Sequence, residues 1–287
     1  MAEWLLVDGS SLIFRAFFAI PQSFRGPDGR PNNGIRGFLD LLSRLITERK
    51  PRRLAVATDE DWRPQFRVDL IPTYKLHRTG EPVPPLLEPQ IPIAYDVLEA
   101  AGIAVARAEG YEAEDVIASL AAGAEDDIEI ASGDRDLFAL VEDGRVRVLY
   151  PAGKGVWSDV DEKWIESKYG IPGRSYADFA ILRGDPSDGL PGLAGVGEKS
   201  AAAMVKRHGS VEGVLAEGKL SAADADYLRK ALVVVKPAAG LQLDCGDCLL
   251  PPAPADPERL NALSQAHGLD SPISRLGRAL GWAGFKE

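Results

Sequence analysis

The stretch IEIASGDRDLFAL, residues 128–140, contains the pattern that best predicts the fold class. Its apolar start, Ile128 to Ser132, is typical of a short buried strand that ends at a Ser-Gly turn. Asp134 and Asp136 follow at once, so two like charges lie at the carboxyl end of one strand. Open α/β sheets bind ligands at that end of their strands. The stretch therefore predicts a strand that delivers carboxylates to a binding edge.

Further strand-like segments alternate with helical patterns on both sides of this stretch. This order predicts an α/β fold with a central, mainly parallel but mixed sheet flanked by helices. The other predicted strands are residues 4–8, 54–59, 102–108 and 145–150. The predicted helices of this half are residues 10–18, 34–49, 86–101 and 112–122. After about residue 160 we predict helices over 162–169, 176–183, 199–208, 222–235, 257–267 and 272–280. We therefore expect an α/β region over residues 1–160 and a helical region over 161–287.

Acidic residues also follow other predicted strands. Asp8 ends the first strand and Asp59 ends the second, which brings acids from three strands to one edge. More acids lie at the start of one helix and in the segment GDPSDGLPG: Glu112, Glu114, Asp115, Asp185 and Asp188. Each acid taken singly is more simply interpreted as a helix cap or turn residue. Together they would repel unless cations neutralised them, and oxygen ligands favour Mg²⁺ or Mn²⁺ over zinc.

Composition limits the classes of protein to be considered. The chain has 287 residues, 45% of them hydrophobic, and a formal net charge of −10. The acidic balance argues against a generic basic nucleic-acid coat but allows a local basic groove. No apolar run approaches the ~18 residues that span a membrane, and the start does not resemble a signal peptide, so we expect no membrane partner and a cytoplasmic location.

The two cysteines, Cys245 and Cys248, have C-x-x-C spacing. No second pair completes a zinc site, and the Leu-Leu-Pro-Pro that follows is unlike the helix that usually follows a redox pair. We interpret them as an incidental pair in a turn.

Residues 69–85 form a polar, basic segment between the predicted elements. Tyr74, Lys75, His77 and Arg78 lie in it, followed by three prolines. The simpler interpretation is a solvated connection. The length of the segment raises the alternative of a functional loop.

The segment PGLAGVGEKSAA, residues 191–202, combines glycines with the start of a helix. Backbone N–H groups at a helix start bind phosphate. A nucleotide-binding P-loop requires contiguous Gly-Lys-Ser, whereas here Glu198 separates Gly197 from Lys199. A helix–hairpin–helix element that holds a nucleic-acid backbone is favoured, and a turn used only for packing is the alternative.

Four of these motifs carry a family resemblance. LLVDGSSLIFRAFF, YEAEDVI, SGDRDLFAL and GDPSDGLPGLAGVGEKSAA resemble the 5′→3′ exonuclease/flap endonuclease family, in that family's order, over residues 4 to about 235. The likeness is to the N-terminal nuclease domain of bacterial DNA polymerase I and its free-standing relatives. It implies a PIN-like first region with a helical arch at about residues 69–90 and a helix–hairpin–helix at about 184–208. We expect no polymerase domain after Glu287.

The resemblance implies roles for individual residues. A two-ion site of Mg²⁺ or Mn²⁺ would be held by Asp8, Asp59, Glu112, Glu114, Asp115, Asp134, Asp136, Asp185 and Asp188. Catalysis would depend on Lys75, Arg78, Asp134 and Asp136. Contacts to DNA would come from Arg15, Arg67, Tyr74, Lys75, Arg78, Gly195, Gly197 and Lys199. A K⁺ ion would be held largely by backbone carbonyls near Gly195 and Gly197.

The sequence departs from the bacterial pattern at three places. Glu114 stands where that pattern has Asp, Gly189 stands where it has Asn, and ATDED surrounds Asp59 in place of the commoner FDA. Glu114 retains an acid, and none of the three departures removes a predicted ligand. The departures therefore affect the expected geometry of the metal site more than its existence.

The implied activity is hydrolysis of DNA phosphodiesters at 5′ ends, nicks and 5′ flaps, during primer and flap removal in replication and repair. RNA–DNA hybrids are further expected substrates, and a separate DNA polymerase and ligase are expected functional partners of a monomeric protein in the bacterial nucleoid. Two alternatives remain open. One is a PIN-like endoribonuclease, and the other is a DNA-junction binding protein without catalysis.

Overall fold

The computed structural model describes residues 3–80, 83–153 and 155–284. One six-stranded sheet lies at the centre, in the order β3-β2-β1-β4-β5-β6. Its strands are β1 (Trp4–Asp8), β2 (Arg53–Ala57), β3 (Ala104–Ala106), β4 (Ile128–Ala131), β5 (Val146–Gly153) and β6 (Val156–Val160). All neighbouring pairs are parallel except β5 and β6, which are antiparallel. The predicted mixed, mainly parallel sheet is confirmed.

Twelve α-helices occur in the described part of the chain. In the first half they are α1 (Gly9–Ala19), α2 (Asn33–Arg49), α3 (Gln65–Leu70), α4 (Gln90–Ala101) and α5 (Ala113–Gly123). In the second half they are α6 (Glu162–Tyr169), α7 (Tyr176–Arg183), α8 (Glu198–His208), α9 (Val211–Ala216), α10 (Ala222–Val235), α11 (Pro257–His267) and α12 (Asp270–Ala279). No described helix is long and apolar enough to cross a bilayer.

The strand order creates a crevice at the centre of the sheet. The chain runs from β1 outward to β2 and β3 and then returns to place β4 on the other side of β1. In register, Val7 of β1 lies beside Val56 of β2 and Ala131 of β4, so these three strands end together. Ligands of open α/β sheets bind where the strand order reverses in this way. The acids that follow β1 and β4 therefore lie beside a crevice suited to a ligand.

Alternation along the strands divides the core between the two faces of the sheet. Leu6 and Ile130 pack on one face with α5, α7 and α10, whereas Leu5 and Val7 pack on the other with α1, α2 and α4. Successive strand residues point to opposite faces, so one apolar run supplies both cores.

The last two helices of the predicted helical region 161–287 pack against the first half of the chain. α11 packs against α4, and α12 packs against α2, on the sheet face opposite α7 and α10. Ile273 and Leu276 of α12 enter that core, and Arg275 pairs with Asp40 at 2.7 Å. The segment after α10 therefore returns to the first half of the chain, because α12 exposes an apolar stripe that only α2 and its neighbours cover.

Several element boundaries differ from the prediction. β2 ends at Ala57, so Asp59 lies two residues beyond the strand, and α4 begins at Gln90, after Pro84 and Pro85. α3, β6 and α9 were not predicted. β6 is an edge strand of five residues, and α3 and α9 are helices of six residues each. None of the three is long enough for the apolar period by which sequence patterns are recognised.

The predicted helical arch over residues 69–90 is mostly not helical. After the end of α3 the segment contains one short 3₁₀ helix, Leu76–Gly80, and then turns that lead into α4. Residues 81 and 82 of this segment lie outside the described residues. Proline removes backbone donors and restricts the preceding residue, which explains why a longer helix does not form here.

Candidate active site

Asp8 lies at the base of the crevice, where β1 meets α1. Its Oδ1 accepts a hydrogen bond from Ser11 N at 2.9 Å and caps α1, and its Oδ2 accepts one from Ser132 Oγ at 2.5 Å. Burial, with smaller contributions from Asp59 and Asp134, raises the pKa of Asp8 to about 7. Asp59 holds the neighbouring helix start, since its Oδ1 accepts from Ala113 N at 2.8 Å. The fold therefore uses both acids as caps and still directs them toward the crevice.

Three carboxylates from two elements converge beside Asp8. Glu114, Asp134 and Asp136 each offer an oxygen, and these atoms lie within 4.8 Å of one another. Burial and then the charge of Asp134 raise the pKa of Asp136 well above its usual range. Burial also raises the pKa of Glu114 well above its usual value. These carboxylates repel one another when they are all ionised, and a bound cation would neutralise them. Because the donors are oxygens, the cluster fits a hard divalent metal ion.

Asp185 and Asp188 come to the same place from a tight turn after α7. Asp185 caps the 3₁₀ turn Pro186–Asp188 and accepts from Arg183 at 3.0 Å, while Asp188 pairs with Arg78 at 3.2 Å. Burial disfavours the charge on Asp188, but Lys75 and a hydrogen bond from Asp136 outweigh it and lower its pKa. A cavity of about 310 Å³ is lined by both acids together with Asp134 and Asp136.

A larger cavity adjoins the first. Its volume is about 880 Å³, and Arg78, Ser11 and Asp134 line both cavities. Its wall combines acids, cations and apolar side chains: Asp8, Asp59, Glu112, Glu114, Arg15, Lys75, His77, Arg78, Phe14, Trp62, Val83, Ile91 and Tyr95. The two cavities together form a trough that is lined by both acids and cations.

A second group of acids is neutralised by the chain itself. Arg67 donates to Glu112 at 2.6 Å and to Asp115 at 2.7 and 2.8 Å, and Tyr74 donates to Glu112 at 2.7 Å. Lys75 Nζ donates to the other oxygen of Glu112 at 2.5 Å. Burial works against the charge on Lys75, yet Glu114 and Glu112 hold the pKa of Lys75 well above its usual range. This group is therefore a buried, hydrogen-bonded ion network.

The network corrects three predicted roles. Arg67 is 0% exposed and donates to Val234 O as well, so its guanidinium has no surface to offer DNA. Tyr74 is 2% exposed, which prevents its ring from stacking on a base. Asp115 is 0% exposed, and its oxygens are taken by Arg67 and by the N–H groups of Glu112 and Ala238, which leaves none for a metal. These roles were predicted for exposed side chains, whereas the folded chain brings Arg67, Glu112 and Val234 together in the interior.

The remaining predicted cations lie nearer the open part of the site. Arg15 is exposed on α1 and lines the larger cavity, and the Arg78 side chain is 40% exposed beside Asp188. Lys75 lines the cavity too, although it is 3% exposed. The predicted set thus divides into residues that reach the cavities and residues held in the interior.

Gly195, Gly197 and Lys199 lie in the loop and first turn of α8. Gly195 has φ 75°, Gly197 caps the helix without a side chain, and all three residues are exposed. None of them lines either cavity among the described residues. The structure places them apart from the acids, on a helix start whose backbone N–H groups face outward.

Some residues around the site were not predicted. Ser132 Oγ donates to Asp8 and accepts from Asp134 N at 2.8 Å, which links the ends of β1 and β4. Arg135 lies 3.8 Å from Asp185, and Arg183 pairs with the same carboxylate. Arg135 lies between Asp134 and Asp136 in the sequence, and this position could have identified it as a residue of the site. No sequence pattern marks Arg183, because its pairing with Asp185 depends on the conformation of the turn after α7.

The two cysteines occupy a turn far along the chain from the acids. Their sulfur atoms lie 3.5 Å apart, and both thiols are free. A hydrogen bond from Cys248 lowers the pKa of Cys245 to about 7. The turn interpretation agrees with this position, since the carbonyl of Cys248 accepts from Leu54 N at the start of β2.

Two family models match consecutive parts of the chain. The model of the family described as 5′-3′ exonuclease, N-terminal resolvase-like domain, matches residues 3–170, and that of the 5′-3′ exonuclease C-terminal SAM fold matches residues 171–244. A 5′-3′ exonuclease of Streptomyces coelicolor is 43% identical over 295 residues, which cover 95% of this chain and 98% of that protein.

Two other relatives extend the comparison. DNA polymerase I of Mycobacterium tuberculosis is 42% identical over 217 residues, which cover 74% of this chain but 24% of the polymerase. The crystal structure of the bacteriophage T5 D15 flap endonuclease in a complex with DNA and metal ions has the same fold, with a TM-score of 0.64, 16% identity and coverage of 97% of this chain and 98% of that one.

The family models cover most of the chain, and the acids at the strand ends lie inside the matched region. The chain therefore belongs to the 5′-3′ exonuclease family of metal-dependent nucleases.

Proposed function

We propose that the protein is a structure-specific 5′ nuclease that hydrolyses DNA phosphodiesters at 5′ ends, nicks and 5′ flaps. The observation that carries the proposal is the convergence of Glu114, Asp134 and Asp136 within 4.8 Å at the crevice, beside the cations Lys75 and Arg78. Oxygen ligands next to fixed positive charge match the two needs of phosphodiester hydrolysis, which are metal binding and stabilisation of phosphate charge.

The acids that reach the cavities fit a pair of Mg²⁺ or Mn²⁺ ions. Asp8, Glu114, Asp134 and Asp136 would hold one side, and Asp185 and Asp188 would hold the other, with Asp59 and Glu112 at the margin. When bound, such ions supply activation of water and stabilisation of the charge that develops on the scissile phosphate. The cluster of Glu114, Asp134 and Asp136 offers carboxylate oxygens, which favour hard cations.

The cations of this chain would bind and orient the phosphate. Lys75 can donate to a phosphate oxygen from the cavity wall, and the partly exposed Arg78 can contact a neighbouring phosphate. Arg15 would bind the backbone further along α1. The acids that line the trough would repel DNA unless these cations and the bound metals offset their negative charge.

The helix start at α8 supports a second contact with duplex DNA. The N–H groups of the first turn of α8, after Gly197, and the Lys199 side chain can bind phosphates without reading bases. A K⁺ ion held by carbonyls of this loop would add positive charge at the same place. Sequence-independent binding is what a nuclease directed by junction shape requires.

The biological role that we propose is removal of primers and flaps during replication and repair. The relatives named 5′-3′ exonuclease and the match to DNA polymerase I support this role. We further propose that RNA–DNA hybrids are substrates, that a separate DNA polymerase and ligase act on the same intermediates, and that the protein works as a monomer in the nucleoid of the cytoplasm.

The test is cleavage of a 5′-labelled flap duplex by wild-type protein with and without Mg²⁺. We expect product only with the metal, and no product from Asp136→Asn. Asp126→Asn is the matched control, because Asp126 is exposed just before β4, at the other end of that strand. Cleavage of single-stranded RNA without any junction would instead favour an endoribonuclease. Tight junction binding with no cleavage in Mg²⁺ or Mn²⁺ would favour a binding protein.

A further inference from the structure

Gly189 follows Asp188 in the acidic turn and makes an unusually close contact with another segment. Its φ is 71°, in the left-handed region. A Cβ atom at this position would lie 1.9 Å from the carbonyl oxygen of Thr73 and 2.8 Å from its carbon. Both neighbours are backbone atoms, so no change of side-chain rotamer could relieve the overlap. Only glycine lets the two segments approach to this distance.

Two further contacts surround this approach. The N–H of Lys75 donates to the carbonyl of Asp188 at 2.9 Å, and Arg78 pairs with the Asp188 carboxylate at 3.2 Å. The turn itself is closed by reciprocal hydrogen bonds between Asp185 and Leu190, at 3.0 and 2.9 Å. The segment that carries both cations of the site is therefore docked on the turn that carries two of its acids.

The conformation of Lys75 depends on this docking. Its φ is 48°, which lies in the left-handed region and is strained for a residue with a side chain. Surrounding contacts must hold such a residue in place. The hydrogen bond from Lys75 N to Asp188 and the close contact of Thr73 with Gly189 are contacts of this kind. They direct the Lys75 side chain into the interior, against Glu112.

We propose that Gly189 is a positioning residue of the nuclease site. By admitting the Thr73 carbonyl it lets the segment from Thr73 to Arg78 dock on the acidic turn, and this docking sets the position of the Lys75 ammonium relative to the acids. The proposal rests on the nuclease function above. It also gives a physical role to the glycine that replaces the asparagine of the bacterial pattern.

Gly189→Ala should therefore reduce the chemical step and leave DNA binding almost unchanged. The measurement is single-turnover cleavage of a 5′-flap duplex, with enzyme far above the dissociation constant. We expect the rate constant to fall about 10²–10³-fold, the usual effect of removing one donor from a reacting phosphate or oxyanion. Gly218→Ala is the matched control, because Gly218 has φ 69° and open space around it. It carries the same left-handed strain without the overlap, and its rate should stay within about twofold of wild type.

A double variant distinguishes positioning from general damage to the fold. If Gly189 acts through Lys75, the variant Gly189→Ala/Lys75→Ala should cleave no more slowly than Lys75→Ala alone. Fully multiplicative losses, or a wild-type rate for Gly189→Ala, would overturn the proposal.

A measurement on the wild-type protein covers the case in which Gly189→Ala fails to fold. Native-state hydrogen exchange should show the Lys75 amide protected well above the rate of an unstructured peptide. Exchange at the unstructured rate would overturn the docking. If the wild-type protein folds with this protection but does not cleave the flap in Mg²⁺, then the nuclease function fails and the docking stands.

Discussion

The acids of the segment from Glu112 to Asp115 divide between two environments that lie side by side. Glu112 and Asp115 face Arg67, Tyr74 and Lys75 and are bound by hydrogen bonds of 2.5 to 2.8 Å. Glu114 faces the cavity with Asp134 and Asp136, and its nearest cation in the described structure is Arg67 at 3.7 Å. We call the first set the paired acids, and we call the second set, together with Asp8 in the same cavity, the open acids. The difference shows how one helix start both stabilises the fold and leaves carboxylates free for a metal.

The physical reason lies in what neutralises each set. A buried carboxylate is tolerated when a fixed cation and hydrogen bonds replace its water, as Arg67 does for Asp115. The open acids lack such partners at close range, and burial raises the pKa of Glu114 and of Asp136. Their folded arrangement is therefore costly without a metal. This cost is typical of sites selected for binding rather than for stability.

The largest expected effect comes from removing an open acid. Asp136→Asn should reduce single-turnover cleavage of a 5′ flap by more than about 10³-fold, because it removes a ligand from the oxygen cluster. DNA binding should persist or tighten, since one negative charge near the phosphates is lost. Near-normal turnover at saturating Mg²⁺ would remove Asp136 from the metal site.

Removing the central cation of the paired acids should instead affect folding. Arg67→Met leaves Glu112 and Asp115 buried without their main partner and should lower the free energy of unfolding by about 3–5 kcal/mol. Arg107→Met is the control, because Arg107 pairs with Glu99 on the surface with 46% of its side chain exposed. A surface pair of this kind contributes about 0–1 kcal/mol. Urea unfolding of both variants measures the difference, and equal stabilities would show that the paired acids are not a structural network.

Lys75 joins the two environments, so its removal should affect both measurements. Lys75→Ala should slow the chemical step about 10²–10³-fold if its ammonium reaches the scissile phosphate. It should also lower the free energy of unfolding by about 1–3 kcal/mol, because Glu112 loses a buried partner. Single-turnover rates and urea unfolding of the same preparation test the two effects together. A wild-type rate with reduced stability would assign Lys75 to the paired acids alone.

Burial raises the pKa of several acids of the site in the metal-free protein, including Glu112 of the paired acids, so the pH dependence of stability reports on the buried acids of both sets. The folded-state pKa values of Asp8, Glu114 and Asp136 lie above their unfolded values, and that of Asp8 is about 7. Their contribution is therefore fully present below the unfolded values near pH 4, and it is lost as pH rises through the folded values.

We expect the free energy of unfolding in EDTA to fall by roughly 1–4 kcal/mol between pH 5 and pH 8 on account of these groups. Mg²⁺ added at pH 8 should restore part of it, because the ion binds only the folded arrangement. In Asp136→Asn the pH dependence should be weaker. A protein whose stability rises steadily over this range, with no response to Mg²⁺, would contradict the picture of uncompensated open acids.

The open acids could be predicted from sequence far better than the paired ones. Asp8, Asp134 and Asp136 follow strands, and the rule that parallel strands deliver ligands at their carboxyl ends applies without knowledge of any contact. The role of Arg67 depends on Glu112, 45 residues away, and on Val234, 167 residues away. No local pattern encodes a pairing across such distances, and a basic residue in a polar segment is naturally interpreted as a surface residue.

The same limit applies to backbone contacts and to docking of whole helices. In the sequence alone, Gly189 is interpreted as a turn residue. Only the contact with Thr73 in the folded chain shows that position 189 has no room for a side chain. α12 has an evident apolar stripe, but the stripe does not say that α2 covers it rather than α10. Local periodicity thus predicts elements and a mainly parallel sheet, whereas partners between distant segments require the folded chain.

The smallest expected effect lies outside both acid groups, at the start of α8. Lys199 is exposed there and lines neither cavity, so its charge can act on DNA binding without touching the chemistry. Lys199→Ala should weaken binding about equally for all sequences and reduce the salt slope by roughly one unit, as expected for one lost phosphate contact. Cleavage at saturating enzyme should be unchanged.

Arg52→Ala is the control for this prediction. Arg52 is exposed just before β2, at the end of that strand that lies away from the crevice, so its loss should leave the salt slope unaltered. Fluorescence anisotropy with several flap sequences at 50 to 200 mM salt measures both. A change in sequence preference would mean that this helix reads bases, and a wild-type salt slope would mean that α8 is a packing element only.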